Sequence, residues 1–214
     1  KSRYKKISQL KKNVILGSTL SGVDVLVTMI SYPIYLKYLS AEKYGLWTII
    51  AVVLSFSQLG QLKIAPAITK FVASFYWKKD LKSITEHVTT AFYILTVPSL
   101  VIICVLAFFN AQIAGFIGVR EVFRSDGERL IFFVGFLSIF SFYVDVTRSV
   151  VVGIGRLDIA NVTFCFCRIF QIILAVCLLV LGVGIWSLYF GYLAYYFVAG
   201  VAFFIILKYS YRIN

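Results

Sequence analysis

The sequence predicts an all-α integral membrane protein, a six-transmembrane-helix bundle. Three observations carry this. Of the 214 residues, 61% are hydrophobic and only 14% charged, where a soluble domain keeps about a quarter charged; mean hydropathy is +0.92. Six apolar runs, each continuous over about 20 residues, follow one another along the chain. Positive charges gather between those runs. A barrel strand alternates over about 10 residues. A continuous run is a helix, which satisfies its own backbone where no water is present. A soluble enzyme, a disordered chain and a secreted disulfide module are excluded on composition.

The basic tail (Lys1, Arg3, Lys5, Lys6, Lys11, Lys12) leads into the first span, residues 14–36. The loop Ser40-Ala41-Glu42-Lys43 turns the chain into the second span, 45–62. An amphipathic stretch, Ala65 to Trp77, and a basic loop with Lys78, Lys79 and Lys82 precede the third span, 87–109. A mixed-charge segment, Asn110 to Arg129, leads to the fourth, 130–152. Glycines at 153 and 155, then at 182 and 184, punctuate the turns before the fifth span, 159–181, and the sixth, 185–207. Residues 1–214 read as a single six-helix membrane lobe. Pro33 and Pro98 each remove a backbone donor and favour a kink.

With the N-terminus inside, 14 of the 21 Lys and Arg fall on the inner side, five on the outer side and two within spans. That bias places both termini in the cytoplasm. The net charge of +12 is therefore a topology signal, and no nucleic-acid partner is expected. No small-residue cleavage pattern follows the basic start, so no cleavable signal peptide is expected.

Enzyme signatures are missing. There is no G-x-S-x-G, no H-E-x-x-H and no phosphate-binding G-x-x-x-x-G-K-[ST] loop. His87, the only histidine, reads as an interfacial polar residue at the inner end of the third span. Cys104, Cys165, Cys167 and Cys177 all lie in apolar runs and read as buried thiols. The Cys165-x-Cys167 spacing has no second Cys or His pair to complete a metal site. Neither a metal nor a cofactor is expected, and the protein is read as a non-enzyme.

Polar stripes inside the spans carry the functional information. Gly17, Ser21, Asp24, Thr28 and Ser31 share one helical face in the first span. Similar stripes are Thr48, Ser55, Gln58 and Gln61 in the second, and Thr89, Tyr93, Thr96 and Ser99 in the third. The fourth has Ser138, Ser141, Asp145 and Arg148; the fifth has Asn161, Cys165, Arg168 and Gln171. Faces that shun lipid meet one another or line a wet cavity. Small and hydroxylated residues also serve close packing alone, so the charges decide. Asp145 and Arg148 have the spacing of a same-helix pair. Asp24 and Arg168 lack a same-helix partner, and either pair across helices or line a cavity. Lys63 and Lys70, just past the second span, snorkel to the inner interface.

Three landmarks resemble a known family: Tyr44-Gly45-Leu46-Trp47; the run from Gln61 to Ala73, including Thr69-Lys70-Phe71-Val72-Ala73; and Gly153-Ile154-Gly155-Arg156-Leu157-Asp158-Ile159-Ala160-Asn161. In this order they resemble the polysaccharide transporter family of the multidrug/oligosaccharidyl-lipid/polysaccharide exporter superfamily, which includes the O-antigen flippases. That family shows a YGLW-like turn, then D-L-G-L and a TRFVA-like segment, then GxGRLDxAN. One departure matters: Gln61-Leu62-Lys63 stands where the family has Asp-Leu-Gly.

The resemblance implies that the chain corresponds to the N-terminal lobe of a two-lobed flippase of 12 or more helices. It implies transport of an undecaprenyl-diphosphate-linked oligosaccharide, an O-antigen or similar repeat unit for lipopolysaccharide, across the bacterial inner membrane by alternating access. Proton or sodium coupling is expected, with membrane lipid and a C-terminal lobe or second copy as further partners. Arg148, Arg168 and Lys63 are the expected diphosphate-binding residues. Asp24, Asp145, Gln58, Gln61 and Asn161 are the expected coupling or cavity-lining residues, and Tyr93, Tyr192 and Tyr195 candidates to stack on sugar rings. A cation about 4 Å from a phosphate gains roughly 4 kcal/mol at an effective dielectric near 20. A gain of that size offsets much of the roughly 2.5–3.5 kcal/mol cost of placing Arg at a helix centre. The alternatives are a multidrug or cation antiporter of the same superfamily, whose cavity favours acidic residues, and a non-transporting membrane subunit.

Overall fold

A computed structural model describes residues 2–58 and 64–210; side chains are described from residue 17 onward, apart from 18, 21, 56–58 and 210. The described residues form helices joined by short turns: α1 (Ser2–Gln58), α2 (Ile64–Trp77), α3 (Leu81–Phe108), α4 (Asn110–Phe116), α5 (Arg124–Gly153), α6 (Leu157–Val180) and α7 (Trp186–Ile205). A 3-10 turn, Glu121–Phe123, precedes α5, and a π-helical turn, Ile206–Ser210, follows α7.

Four helical stretches among the described residues are long and apolar enough to cross a membrane: Leu81–Phe108, Glu121–Gly153, Leu157–Val180 and Trp186–Tyr209. They coincide with the third to sixth expected spans. The first two spans are not separate elements. They are the two arms of α1, which meet at Ser40, whose φ of 67° and ψ of 158° leave the helical region. The arms fold back on each other. Tyr44 packs edge-on to Tyr32 at 5.3 Å and tilted to Tyr35 at 6.0 Å. An unbroken helix would hold Tyr32 and Tyr44 roughly 18 Å apart. So the expected turn is there, but as a one-residue break. Two short helices, α2 and α4, raise the number above the six expected.

Helix starts differ from the apolar runs for a local reason. α3 begins six residues before the expected span, because Asp80 caps it: Oδ1 accepts from the Ser83 amide at 3.0 Å and Oδ2 from the Ser83 hydroxyl at 2.6 Å. α5 likewise opens with a polar turn, where Arg124 pairs with Glu121 at 2.7 Å and Glu128 at 3.0 Å.

α5 is the central helix. Of its most apolar stretch 56% is buried, against 22% in α3 and 28% in α6 and α7. Leu130, Ile131, Val134, Leu137, Val146 and Val150 are essentially inaccessible. α2, α3, α7 and the α1 arms pack around it, and α6 bridges α1 and α7. Outward faces carry exposed apolar side chains such as Val97, Phe108, Phe166 and Phe197, a surface suited to lipid.

Close approaches fix two of these contacts. A Cβ at Gly153 would stand 2.8 Å from Val72 Cβ and 2.9 Å from the Thr69 carbonyl oxygen, so α2 lies directly on the end of α5. The Thr69 hydroxyl donates to the Ser149 carbonyl there at 3.3 Å. At the opposite end of α5, Arg120 pairs with Glu42, tying the α1 break to the segment entering α5. The α1 break and the α4–α5 segment thus share one face of the bundle.

Candidate functional site

A cavity of about 570 Å³ lies between α1, α5, α6 and α7. It gathers Gly17 and Asp24 from α1, Asp145 and Arg148 from α5, Asn161, Cys165 and Arg168 from α6, and Tyr192, Tyr195 and Tyr196 from α7. Those from α1, α5 and α6 come from a polar stripe on an otherwise apolar helix, and packing these helices with α7 turns the stripes toward its tyrosines. At 1.5 Å per residue, Asn161 stands about 6 Å and Arg168 about 16 Å along α6 from Leu157. The polar lining therefore runs from the α5–α6 turn toward the middle of the bundle.

Arg168 is anchored on several sides. Its Nε donates to Asp24 Oδ1 at 3.2 Å, and its Nη1 to Gln171 Oε1 at 2.8 Å. The guanidinium lies 5.7 Å from the Tyr192 ring centroid, and Tyr192 in turn packs on Trp47 at 5.5 Å. The two charges that lack a same-helix partner thus pair across helices, and both line the cavity. Asp24 keeps half its side-chain surface open and Arg168 a quarter.

Arg148 is held differently. Its guanidinium sits over the Phe164 ring at 4.7 Å, and its buried Nε finds no hydrogen-bond partner among the described residues. Asp145 and Arg148, which have the spacing of a same-helix pair, both line the cavity, and Arg148 turns to the α6 ring. Asp145 lines the cavity and carries interactions of its own. A buried guanidinium N–H without an acceptor costs about 1–3 kcal/mol or more. The ring face returns about 0.5–2 kcal/mol. Arg148 is the lining group with most to gain from an incoming anion.

Other expected polar positions fall elsewhere. In the second and third spans Thr48, Ser55, Thr96 and Ser99 bond within the helices rather than line this cavity. Thr48, Ser55 and Ser99 donate to Tyr44, Ala51 and Leu95, one turn back. Thr96 bonds both Phe92 O and Tyr143 OH. Tyr93 is 74% exposed on the outer surface, which removes it as a sugar-stacking candidate in this cavity. Ser138 and Ser141 are buried in the α5 packing. Lys63 and Gln61 lie outside the described residues, as does the side chain of Gln58. Of the cysteines read as buried thiols, only Cys167 is buried; Cys104 and Cys177 are exposed on the apolar surface. Among the described residues no group of three His, Cys, Asp or Glu could hold a metal ion.

Sequence reasoning missed Phe164 and Tyr196 as lining residues. Their aromatic character suits plain core packing as well, so no pattern singles them out.

No curated protein and no solved structure matches the chain. A family model does: MatE matches residues 25–177, which hold the end of the first α1 arm, the second arm, α2 to α5 and most of α6. The match reaches the superfamily level of the resemblance seen in the sequence; it does not distinguish polysaccharide from multidrug transport. MatE proteins are transporters rather than enzymes, and the apolar helices fit a multi-pass membrane protein. The chain belongs to the MatE family.

Proposed function

We propose that the chain is one six-helix lobe of a flippase that moves an undecaprenyl-diphosphate-linked oligosaccharide across the bacterial inner membrane. Both termini lie in the cytoplasm. A second lobe or a second copy completes the transport path, and proton or sodium movement drives alternating access. The observation that carries this reading is the pair of guanidiniums, Arg148 and Arg168, on one cavity with three tyrosines.

The chemistry follows from what each group offers. A diphosphate presents acceptors that Arg148 Nε lacks. Arg168 holds Asp24 as a resident counter-charge, which an incoming diphosphate displaces or shares. Tyr192 and Tyr195 offer ring faces and hydroxyls to a glycan. Lys63 adds positive potential on the inner side, and Gln58, Gln61, Asn161 and Asp145 tune or release the headgroup. The lipid tail stays in the bilayer throughout.

The test is the pair Arg148→Ala and Arg168→Ala in the intact gene, scored by surface polysaccharide after expression and insertion are verified. Loss of polysaccharide with normal insertion supports the reading. Full complementation by both variants refutes it.

A cation antiporter is the second reading, favoured by Asp24 and Asp145 on the same wall. It predicts resistance to cationic dyes that Asp145→Asn abolishes, with surface polysaccharide unchanged.

A further inference from the structure

We propose that the groove between α2 and α3 binds an anionic phospholipid, its acyl chain in the groove and its phosphate at the lysines of the α2–α3 turn. This site is separate from the transport cavity and rests only on the chain being a membrane protein.

The groove, about 500 Å³, is lined mainly by apolar side chains, among them Ile64, Ile68, Phe71, Ala91 and Ile94, with His87 and Glu86 at the end nearer the turn. Phe71 and Ile94 are 47% and 57% exposed, so the groove opens on the outer surface of the bundle. An apolar trough on a membrane-facing surface fits a hydrocarbon chain.

What selects the headgroup is the charge around that end. Lys70, Lys78, Lys79 and Lys82 are all exposed there. A chain of contacts links the turn to the groove. Lys78 Nζ stands 5.9 Å from the Phe75 ring centroid, and Phe75 and Phe71 pack on His87 at 5.0 and 5.4 Å. The four lysines outnumber the two nearby carboxylates, Asp80 and Glu86, and leave a net positive charge. Asp80 is held against α3 by its cap to Ser83. Glu86 meets Lys82 at 3.9 Å with both side chains well exposed, a weak pair. His87 is fixed in place: its Nδ1 lies 2.7 Å from the Ser83 carbonyl, which can only accept, so Nδ1 carries the proton. Basic pockets beside apolar helix surfaces are where anionic headgroups bind.

The experiment uses the full chain solubilised from a bilayer of equal phosphatidylglycerol and phosphatidylcholine, with retained lipid quantified by mass spectrometry. The expected result is enrichment of phosphatidylglycerol by about tenfold or more. The combined Lys78→Gln, Lys79→Gln, Lys82→Gln variant should lose the preference. Thr90→Trp, which fills the groove from an exposed position, should lose the retained lipid with the charges intact. Equal retention of the two lipids by the unaltered protein overturns the proposal and needs no variant. Unchanged selectivity in the lysine variant, or unchanged retention in Thr90→Trp, overturns it as well. Arg148→Ala and Arg168→Ala should leave the preference as it is, so failure of the transport reading and failure of this one are read separately.

Discussion

Arg168 on α6 and Asp24 on α1, 144 residues apart in sequence, meet at 3.2 Å on the wall of the cavity. The pair joins two helices and places opposite charges on the cavity wall. Because both side chains keep solvent contact, its stabilising contribution is modest, about 0.2–1 kcal/mol. A double-mutant cycle of Asp24→Asn and Arg168→Gln, read by thermal unfolding in detergent, should give a coupling of that size. A coupling of several kcal/mol would mark the pair as a structural clamp instead.

Arg148 should separate stability from transport. Arg148→Met keeps much of the stem and removes the buried Nε–H that lacks a partner. It should leave the melting midpoint unchanged or raise it, while abolishing transport. Arg148→Lys should also impair transport, because an ammonium lacks the planar fork that meets a diphosphate. Vesicle flipping and thermal unfolding on the same preparations check both.

Gly153 and Gly45 make an opposed pair of tests. A methyl at 153 runs into Val72 and the Thr69 carbonyl, so Gly153→Ala should destabilise by about 1–3 kcal/mol as α2 is pushed off α5. Gly45 has nothing within 4 Å of a new Cβ. Gly45→Ala in the helical second arm should stabilise by about 0.5–1 kcal/mol. Equal effects at both sites would contradict the close α2–α5 approach.

Asp80 predicts an acid-side dependence. The hydrogen bonds from the Ser83 hydroxyl and amide hold its carboxyl below the usual carboxylate range. The ionised cap therefore stabilises the folded chain above the ordinary carboxylate pKa, and this is lost as pH falls through the lowered folded value. Asp80→Asn keeps an acceptor for the Ser83 amide but does not titrate. Its melting midpoint should fall less than that of the unaltered protein on acidification.

Much of the fold is legible in the sequence because the bilayer imposes a simple rule. Runs near 159–181 and 185–207 are long, apolar and bounded by glycines or charges, and each is a helix within a few residues. The starts of α3 and α5, each six residues ahead of the apolar run, show the limit. Lys82, Ser83 and Glu86 are too polar for an apolar run, yet Asp80 starts the helix before them. The join between the first two spans shows another, since a single residue at Ser40 reverses the chain where a four-residue loop is expected.

The site divides in the same way. Charge within an apolar span is costly, so Asp24, Asp145, Arg148 and Arg168 stand out in the sequence by themselves. Hydroxyl stripes do not carry the same weight. Thr48, Ser55 and Ser99 bond the preceding turn of their own helices, and one such bond satisfies a hydroxyl donor but leaves a carboxylate or guanidinium charged. Which charge meets which depends on helix rotation and crossing, and spacing says nothing of either. The sequence determined the four long apolar helices from α3 onward, their order and the residues too polar for lipid, because those follow from local hydropathy. Only the tertiary structure decided that Arg168 takes Asp24, that Arg148 turns to Phe164, and that four helices share one cavity. Those outcomes follow from how α1, α5, α6 and α7 pack around one another, which no single segment contains.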